Sequence, residues 1–168
     1  MAEKIENYEE VAFYPIDDEL REQIYETQTE CAVVWSTKGG WPVGVMHRFV
    51  WKDGKFWVTC SGQRKRVPAL RKRPQSCVIV SAEGTKHGPD RTTTAKTLAT
   101  VHDDAETKAW FYPALAAKMM PGSTERQEWF VKMLDSGRRV VIELEPVKWI
   151  TYDGHKLAAA VAGGNNQG

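Results

Sequence analysis

One segment combines a short apolar strand, hydroxyl side chains and a basic stretch, which together could bind an anionic ligand. The segment, residues 56–73, reads FWVTCSGQRKRVPALRKR. Its first five residues alternate as in a half-buried strand, and Ser61 and Gly62 end that strand. A helix is predicted to begin near Arg64, with Pro68 tolerated in its first turn. Because a helix start offers free N–H groups beside these cations, the segment favours phosphate binding.

The basic charge of the chain is concentrated in this segment. Six basic residues lie between Arg64 and Arg73; removing these six from the 23 Lys and Arg leaves 17 against 22 acidic residues, a net charge of −5, whereas the whole chain carries +1. A basic run is often just a solvated helix face. A focal positive charge, however, suits a small polyanion better than a nucleic acid, which needs a broad basic surface. We therefore expect a small anionic ligand and no nucleic-acid partner.

The other reactive side chains point to no metal and to no assigned catalytic residue. The three cysteines are widely spaced and lie in strand-like runs, which indicates buried thiols and neither a disulfide framework nor a metal site. His47 alternates with Phe49 and Trp51 and is interpreted as a core or backbone-positioning histidine, although it is the residue most suited to donate a proton. The other three histidines lack the spacing of metal ligands.

Length and composition predict a single domain over residues 1–168. The chain is 42% hydrophobic, enough for a core, and it contains no apolar run that could span a membrane. The acidic N-terminus lacks the hydrophobic region of a signal peptide, so we expect a cytoplasmic protein. A flexible C-terminal tail is predicted from about residue 155, and the last residues, GGNNQG, are expected to be disordered.

Six strands and several helices are predicted around the basic segment. Asp53 and Gly54 stand between two alternating runs and predict a hairpin. Pro146 predicts a bulge or an edge in the last strand. The predicted strands are residues 31–36, 41–51, 56–60, 76–82, 92–101 and 139–150. The predicted fold is mainly β with peripheral helices (α+β), a small closed or split antiparallel barrel.

Helix signals flank these strands. Asp17 or Asp18 can cap a first helix that runs to about Thr27. A second helix is predicted to open near residues 103–106, and another from Thr124 to about residue 136, whose Phe130, Met133 and Leu134 are expected to face the core.

Residues 42–80, PVGVMHRFVWKDGKFWVTCSGQRKRVPALRKRPQSCVIV, resemble the split β-barrel flavin and deazaflavin oxidoreductases. These are relatives of pyridoxamine 5'-phosphate oxidase, and the resemblance is greatest to the actinobacterial branch that binds coenzyme F420. It extends over about residues 17–150. It implies a six-stranded antiparallel split β-barrel of the FMN-binding type, and a homodimer with the cofactor at its interface.

The resemblance also implies a set of cofactor-binding residues. Val45, Met46 and His47 would pass along the edge of the isoalloxazine or deazaflavin ring, mostly through backbone contacts. The residues that align with the phosphate-binding segment are Thr59, Cys60, Arg64 and Lys65. At position 60 this chain has a cysteine, where members of the family more often have Thr, Ser or Asn. The remaining cations, Arg66, Arg71, Lys72 and Arg73, are either solvated or contact an oligoglutamate tail, and Arg71 is included in the predicted cofactor site.

Charge favours one cofactor over the other. FMN and coenzyme F420 share a ribityl phosphate, but the deazaflavin also carries an oligoglutamate tail, which an extended basic tract complements. The resemblance together with this tract predicts an F420-dependent oxidoreductase that transfers hydride from the reduced cofactor to an electron-poor small molecule such as an enone or quinone. An FMN-binding oxidoreductase and a non-catalytic cofactor-binding protein remain as alternatives.

Overall fold

The computed structural model describes Glu9 and residues 14–164, and its central element is a six-stranded antiparallel barrel. The strands are β1 (Glu30–Ser36), β2 (Pro42–Lys52), β3 (Lys55–Ser61), β4 (Gln75–Ser81), β5 (Arg91–His102) and β6 (Arg139–Asp153). Their order around the barrel is β1-β2-β3-β6-β5-β4. The predicted six-stranded barrel with peripheral helices is confirmed.

Local sequence signals account for the tightest connection of the barrel. Asp53 and Gly54 join β2 to β3 and both have positive φ angles, 55° and 73°. This is the backbone that a two-residue hairpin requires, and glycine adopts it without steric cost. The hairpin predicted from these two residues is confirmed.

Five helices surround the barrel. They are α1 (Asp18–Thr27), α2 (Arg66–Lys72), α3 (Ala105–Met119), α4 (Thr124–Leu134) and α5 (Gly154–Gly164). Asp17 caps α1 by accepting a hydrogen bond from the backbone N–H of Leu20, and Asp104 caps α3 in the same way. In the described residues no helix is long and apolar enough to cross a membrane.

Two apolar clusters hold these elements together. One fills the barrel and includes the fully buried rings of Tyr25, Phe49 and Phe56. The other lies between the α3–α4 pair and the outer face of the barrel, where Phe111 packs near Val141. β6 therefore contributes to both clusters, because its alternate residues point to opposite faces.

The last strand is irregular at its proline. Thr97 pairs with Pro146 and Lys96 pairs with Lys148, which leaves Val147 as an extra residue. A proline cannot donate to the ladder, and a bulge accommodates it. The predicted bulge at Pro146 is confirmed.

Two local predictions, the orientation of Met133 and the start of α2, are corrected by the structure. The tail from about residue 155, whose flexibility stays a prediction, forms α5 as far as Gly164, because its alanine-rich sequence favours a helix and Lys156 donates to the carbonyl of Pro15. Residues 165–168 lie outside the described residues. Met133, which was expected to face the core, is 46% exposed, because neighbouring side chains of α4 occupy the face of the helix that packs on the barrel. α2 begins at Arg66 rather than near Arg64.

Candidate functional site

The barrel is split between β2 and β3. Their ladder joins Phe49–Lys52 to Lys55–Val58, while β2 continues back to Pro42. The rest of β3 pairs with β6 on its other side. The edge of β2 that faces β3 is therefore outside this ladder over residues 42–48. Those residues include Val45, Met46 and His47, the stretch predicted to pass along a cofactor ring.

A pocket of about 410 Å³ lies between α2 and the turn that joins β1 to β2. Its apolar wall consists of Trp35, Val43, Pro68 and Ala69. Its polar rim consists of Thr37, Lys38, Lys65, Lys72 and Arg73. Four cations beside an apolar wall suit a ligand that has both a flat apolar part and negative charge.

Most of the rim charge is uncompensated. Lys38, Lys65 and Lys72 form no ion pair with any carboxylate in the described part of the chain. Arg73 instead donates to the carbonyl oxygen of Ser36 at 3.1 Å and so ties the end of α2 to β1. Three amines thus face the pocket without a counter-charge, which favours binding of a polyanion.

His47 points into the barrel and is uncharged at neutral pH. Its side chain is 9% exposed, and its Nε2 is buried without a hydrogen-bond partner among the described residues. Its pKa is lowered to about 4, mainly by burial and also by the positive charge of Arg66, while a hydrogen bond with the backbone of Thr59 opposes both effects. His47 is therefore a neutral imidazole with one nitrogen free for a ligand.

Cys60 also points into the barrel, close to Arg66. It is 7% exposed, and burial raises the pKa of its thiol in spite of the nearby guanidinium groups. The thiol therefore stays protonated at neutral pH and is not an activated nucleophile. The Arg66 side chain covers the ring of Trp35, and its Nε is buried with no hydrogen-bond partner in the part of the chain described.

The other predicted site residues occupy different surroundings. Thr59 donates its hydroxyl to the carbonyl oxygen of Val140 at 2.7 Å, on the outer face of the barrel. Met46 is 61% exposed on the same face, and Val45 packs partly against the core. Arg64 is exposed.

Arg71 points away from the pocket. It forms an ion pair with Asp103 at 3.3 Å. Of the eight residues predicted to bind a cofactor, the structure places Lys65 in the pocket wall, and the charge of Arg66 acts on both His47 and Cys60.

Sequence reasoning missed part of the pocket wall. Local sequence patterns indicate a turn for Lys38 and a strand for Trp35, and neither pattern links them to α2. Their contact with the helix depends on how the β1–β2 turn folds over α2, which no local pattern reports. The Lys-Gly-Gly sequence at residues 38–40 is the available signal, since it predicts an exposed cation at a hairpin end.

The donor set fits a phosphorylated ring compound better than a metal ion. Among the described residues there is no group of three His, Cys, Asp or Glu side chains that could hold a metal. The pocket offers ammonium groups and an indole instead. These groups match a phosphate and a polar heteroaromatic ring.

Comparison with known proteins establishes the fold. No family model matches the chain, and no curated protein matches it significantly. A conserved hypothetical protein of Mycobacterium tuberculosis superimposes with a TM-score of 0.73 at 14% identity, over 85% of this chain and 88% of the other. An F420 reductase superimposes with a TM-score of 0.60 at 19% identity, over 77% of this chain and 94% of the other. A Listeria innocua protein named as a candidate pyridoxamine 5'-phosphate oxidase superimposes with a TM-score of 0.60 at 16% identity, over 79% of this chain and 95% of the other. The chain thus has the split-barrel fold of the pyridoxamine 5'-phosphate oxidase type.

Proposed function

We propose that this protein is an oxidoreductase that binds a flavin-type cofactor in the pocket between α2 and the β1–β2 turn, with coenzyme F420 as the preferred cofactor. The observation that carries the proposal is the set of three amines, Lys38, Lys65 and Lys72, that have no ion-pair partner in the described part of the chain and lie beside the apolar wall formed by Trp35 and Val43. A ribityl phosphate is a dianion, and charge-assisted contacts to ammonium groups are the strongest that such a group can make.

The split edge of β2 supports a ring position next to this pocket. Val43 belongs both to the pocket wall and to the part of β2 beyond the β3 ladder. Backbone N–H and C=O groups along such an edge can bind the polar rim of a ring. Val45, Met46 and His47 follow directly, so their backbone is the proposed partner of the ring.

The number and spread of the cations favour the deazaflavin. One phosphate occupies one or two ammonium groups, and Lys38 and Lys72 add positive charge to the rim beyond Lys65. The oligoglutamate tail of coenzyme F420 would use that extension, whereas FMN ends at its phosphate. The similarity in fold to an F420 reductase supports the same choice. FMN remains the second candidate, because the phosphate contacts are common to both.

The bound cofactor supplies hydride transfer to or from an electron-poor carbon, and an enone or quinone is the proposed type of acceptor. The residues of the chain bind and orient the cofactor. Lys65 holds the phosphate, Trp35 provides an apolar surface, and the neutral His47 and Cys60 add no net charge beside the ring. Cys31, Cys60 and Cys77 are unpaired, which fits the proposed cytoplasmic location.

We also propose a homodimer, which the outer face of the barrel supports. One cross-strand row runs over five strands through Met46, Ala32, Ile79, Thr94 and Ile150. Met46 and Ile150, at its two ends, are 61% and 55% exposed. Since Met46 also belongs to the split edge of β2, a second copy packed on this row would lie next to the proposed ring position.

Cofactor titrations test the proposal directly. Purified full-length protein should quench the fluorescence of coenzyme F420 saturably, with a lower dissociation constant than for FMN measured in the same buffer. Lys65→Ala should weaken both. Tight binding of FMN with no binding of F420 would assign the protein to the FMN-dependent class, and no binding of either cofactor would refute the proposal.

A further inference from the structure

The junction between β5 and α3 carries a histidine with a carboxylate at each of its ring nitrogens. His102 is the last residue of β5, and its Nε2 lies 3.0 Å from a carboxylate oxygen of Glu143 on β6. Its Nδ1 lies 3.7 Å from a carboxylate oxygen of Asp104. Since Asp104 is the N-cap of α3, the imidazole bridges the barrel and the start of that helix.

This bridge is only partly open to water. The side chains of His102 and Glu143 are 23% and 13% exposed. The ring of Trp57 packs on the imidazole with 5.6 Å between the centroids, and Trp110 of α3 packs against Trp57 at 4.8 Å. Because these rings exclude part of the water, a charge on the imidazole is screened less than a charge on the open surface.

Both carboxylates at this bridge stay ionised in mildly acidic solution. Burial alone would raise the pKa of Glu143, but hydrogen bonds with Lys55 and His102 outweigh burial and hold that pKa below its ordinary value. Hydrogen bonds from the backbone and the hydroxyl group of Thr107 lower the pKa of Asp104. An imidazole is the side chain that ordinarily changes its charge near neutral pH. His102 is therefore the group of this set that responds to a mild change of pH.

The two protonation states of the imidazole satisfy the carboxylates differently. A neutral imidazole has one N–H group and one lone pair, whereas an imidazolium has two N–H groups. When the N–H of a neutral His102 points to Glu143, the lone pair of its Nδ1 faces the carboxylate of Asp104. Only the imidazolium attracts both carboxylates at once.

The cations near the junction already have other partners. The charged side chains around it are Lys52, Lys55, Arg71, Asp103, Asp104, Glu143 and Glu145. Lys55 pairs with Glu143 and Glu145, and Arg71 pairs with Asp103. Lys52 lies over the ring of Trp110 and pairs with Asp53. Among the described residues no lysine or arginine forms an ion pair with Asp104, so His102 is the cation available to it.

We infer that His102 is a pH-sensitive clamp, which closes on protonation and fixes the first turn of α3, and with it the α3–α4 pair, against the barrel. The clamp closes as the pH falls, because the imidazolium holds Glu143 of the barrel and Asp104 of the helix together. Its effect is opposite in sign to protonation of the buried His47, which destabilises the folded chain. The clamp does not depend on the proposed cofactor or reaction.

Amide hydrogen exchange of the full-length protein, followed residue by residue by NMR, measures the clamp. The reporters are the amides of Thr107 and Lys108, which donate to Asp104 in the first turn of α3. The amides of Val78 and Val80 in β4 serve as the reference. Between about pH 7.5 and about pH 5.5 the protection of the reporters, corrected for intrinsic exchange, should rise about threefold relative to the reference. A general loss of stability would instead lower the protection of both sets.

Three variants separate the clamp from other effects of pH. His102→Gln should abolish the rise, because glutamine can donate a hydrogen bond but takes up no proton. Arg126→Gln should retain the rise, since it removes one exposed cation of α4 and controls for net charge. Asp104→Asn keeps a good N-cap without the negative charge, so the rise should fall to less than about half. This third variant decides the matter if His102→Gln fails to fold.

Two results would overturn the inference. One is a wild-type protein in which the protection of Thr107 and Lys108, relative to β4, stays constant or falls on acidification. The other is a rise of the wild-type size in His102→Gln or in Asp104→Asn, which would assign the pH response to another group.

Discussion

The guanidinium group of Arg66 stacks over the indole of Trp35, with its central carbon 5.4 Å from the ring centroid. The contact joins the first residue of α2 to the inward face of β1. It holds the basic helix against the strand that forms the apolar wall of the pocket. Lys65 and Lys72 line the pocket, whereas Arg66 lies against Trp35 with its Nε buried.

Neighbouring cations at the start of α2 should differ in their effect on cofactor binding. Lys65 lines the pocket, whereas Arg64 is exposed and outside its wall. Lys65→Ala should cost about 1.5 kcal/mol or more of binding free energy for F420 and FMN, roughly a tenfold loss, because one charged partner of the phosphate is removed. Arg64→Ala should cost much less. Fluorescence titration measures both, and a larger effect of Arg64→Ala would move the phosphate out of this pocket.

The sequence predicted elements whose causes are local. The hairpin at Asp53 and Gly54 follows from a backbone conformation that two adjacent residues determine, and the cap of α1 follows from Asp17. The split edge of β2 could not be predicted in the same way. Where its ladder with β3 ends depends on the closure of the whole barrel, which brings distant strands together.

In the candidate site, too, some residues could be predicted from local sequence and others could not. Lys65 was predicted from its place in a basic segment, and it does line the pocket. The ion pair of Arg71 with Asp103 could not be predicted, because 32 residues separate the two in the sequence. The orphaned nitrogens of His47 and Arg66 also depend on tertiary burial, so the sequence alone could not distinguish them from satisfied groups.

Protonation of His47 should destabilise the fold in mildly acidic solution. Its ordinary pKa of 6.5 falls to about 4 in the folded protein, mainly through burial. Between these two pH values the unfolded chain binds the extra proton, so the unfolding free energy rises with pH; the contribution is complete above about pH 6.5 and decreases by about 3 kcal/mol as the pH falls to about 4.

Urea unfolding of the wild-type protein and of His47→Gln from pH 4.5 to 7.5 tests this expectation. The unfolding free energy of the variant should lack the part of the pH dependence that His47 causes, whatever the absolute stability of the variant. Trp129→Gln is the control, because Trp129 is 59% exposed on α4 and does not titrate, so the pH slope should be unchanged. Parallel slopes for the wild type and His47→Gln would show that His47 is not held neutral.

The outer row of the barrel should form the interface of a homodimer. Light scattering at micromolar concentration should give twice the 19.0 kDa of one chain. Met46→Glu should favour the monomer, because it places a charge in an apolar contact. Trp129→Glu is the matched control, since Trp129 is 59% exposed on α4, away from this row. A monomeric wild-type protein, or dissociation caused by Trp129→Glu alone, would contradict this assembly.

The charges of Lys38 and Lys72 should distinguish the two cofactors. Lys38 and Lys72 line the pocket and have no carboxylate partner among the described residues, so they are available to an oligoglutamate tail. In the double variant Lys38→Gln/Lys72→Gln the affinity for F420 should fall while that for FMN stays nearly unchanged, because FMN has no charge beyond its phosphate. Each exposed pair contributes only about 0.2 to 1 kcal/mol, so the expected loss is a few-fold and should shrink as salt is raised.

The control for this variant removes the same charge elsewhere. Arg71→Gln/Arg126→Gln takes away two cations, one paired with Asp103 on the far side of α2 and one exposed on α4. If only long-range electrostatics mattered, both double variants would lose the same affinity for F420. If the lysines contact the tail directly, the Lys38/Lys72 variant should bind F420 more weakly than the control variant. Titrations of both cofactors at low and high salt decide between these outcomes. Equal losses of F420 and FMN affinity in the Lys38/Lys72 variant would remove the argument from charge, and FMN would then become the equally supported cofactor.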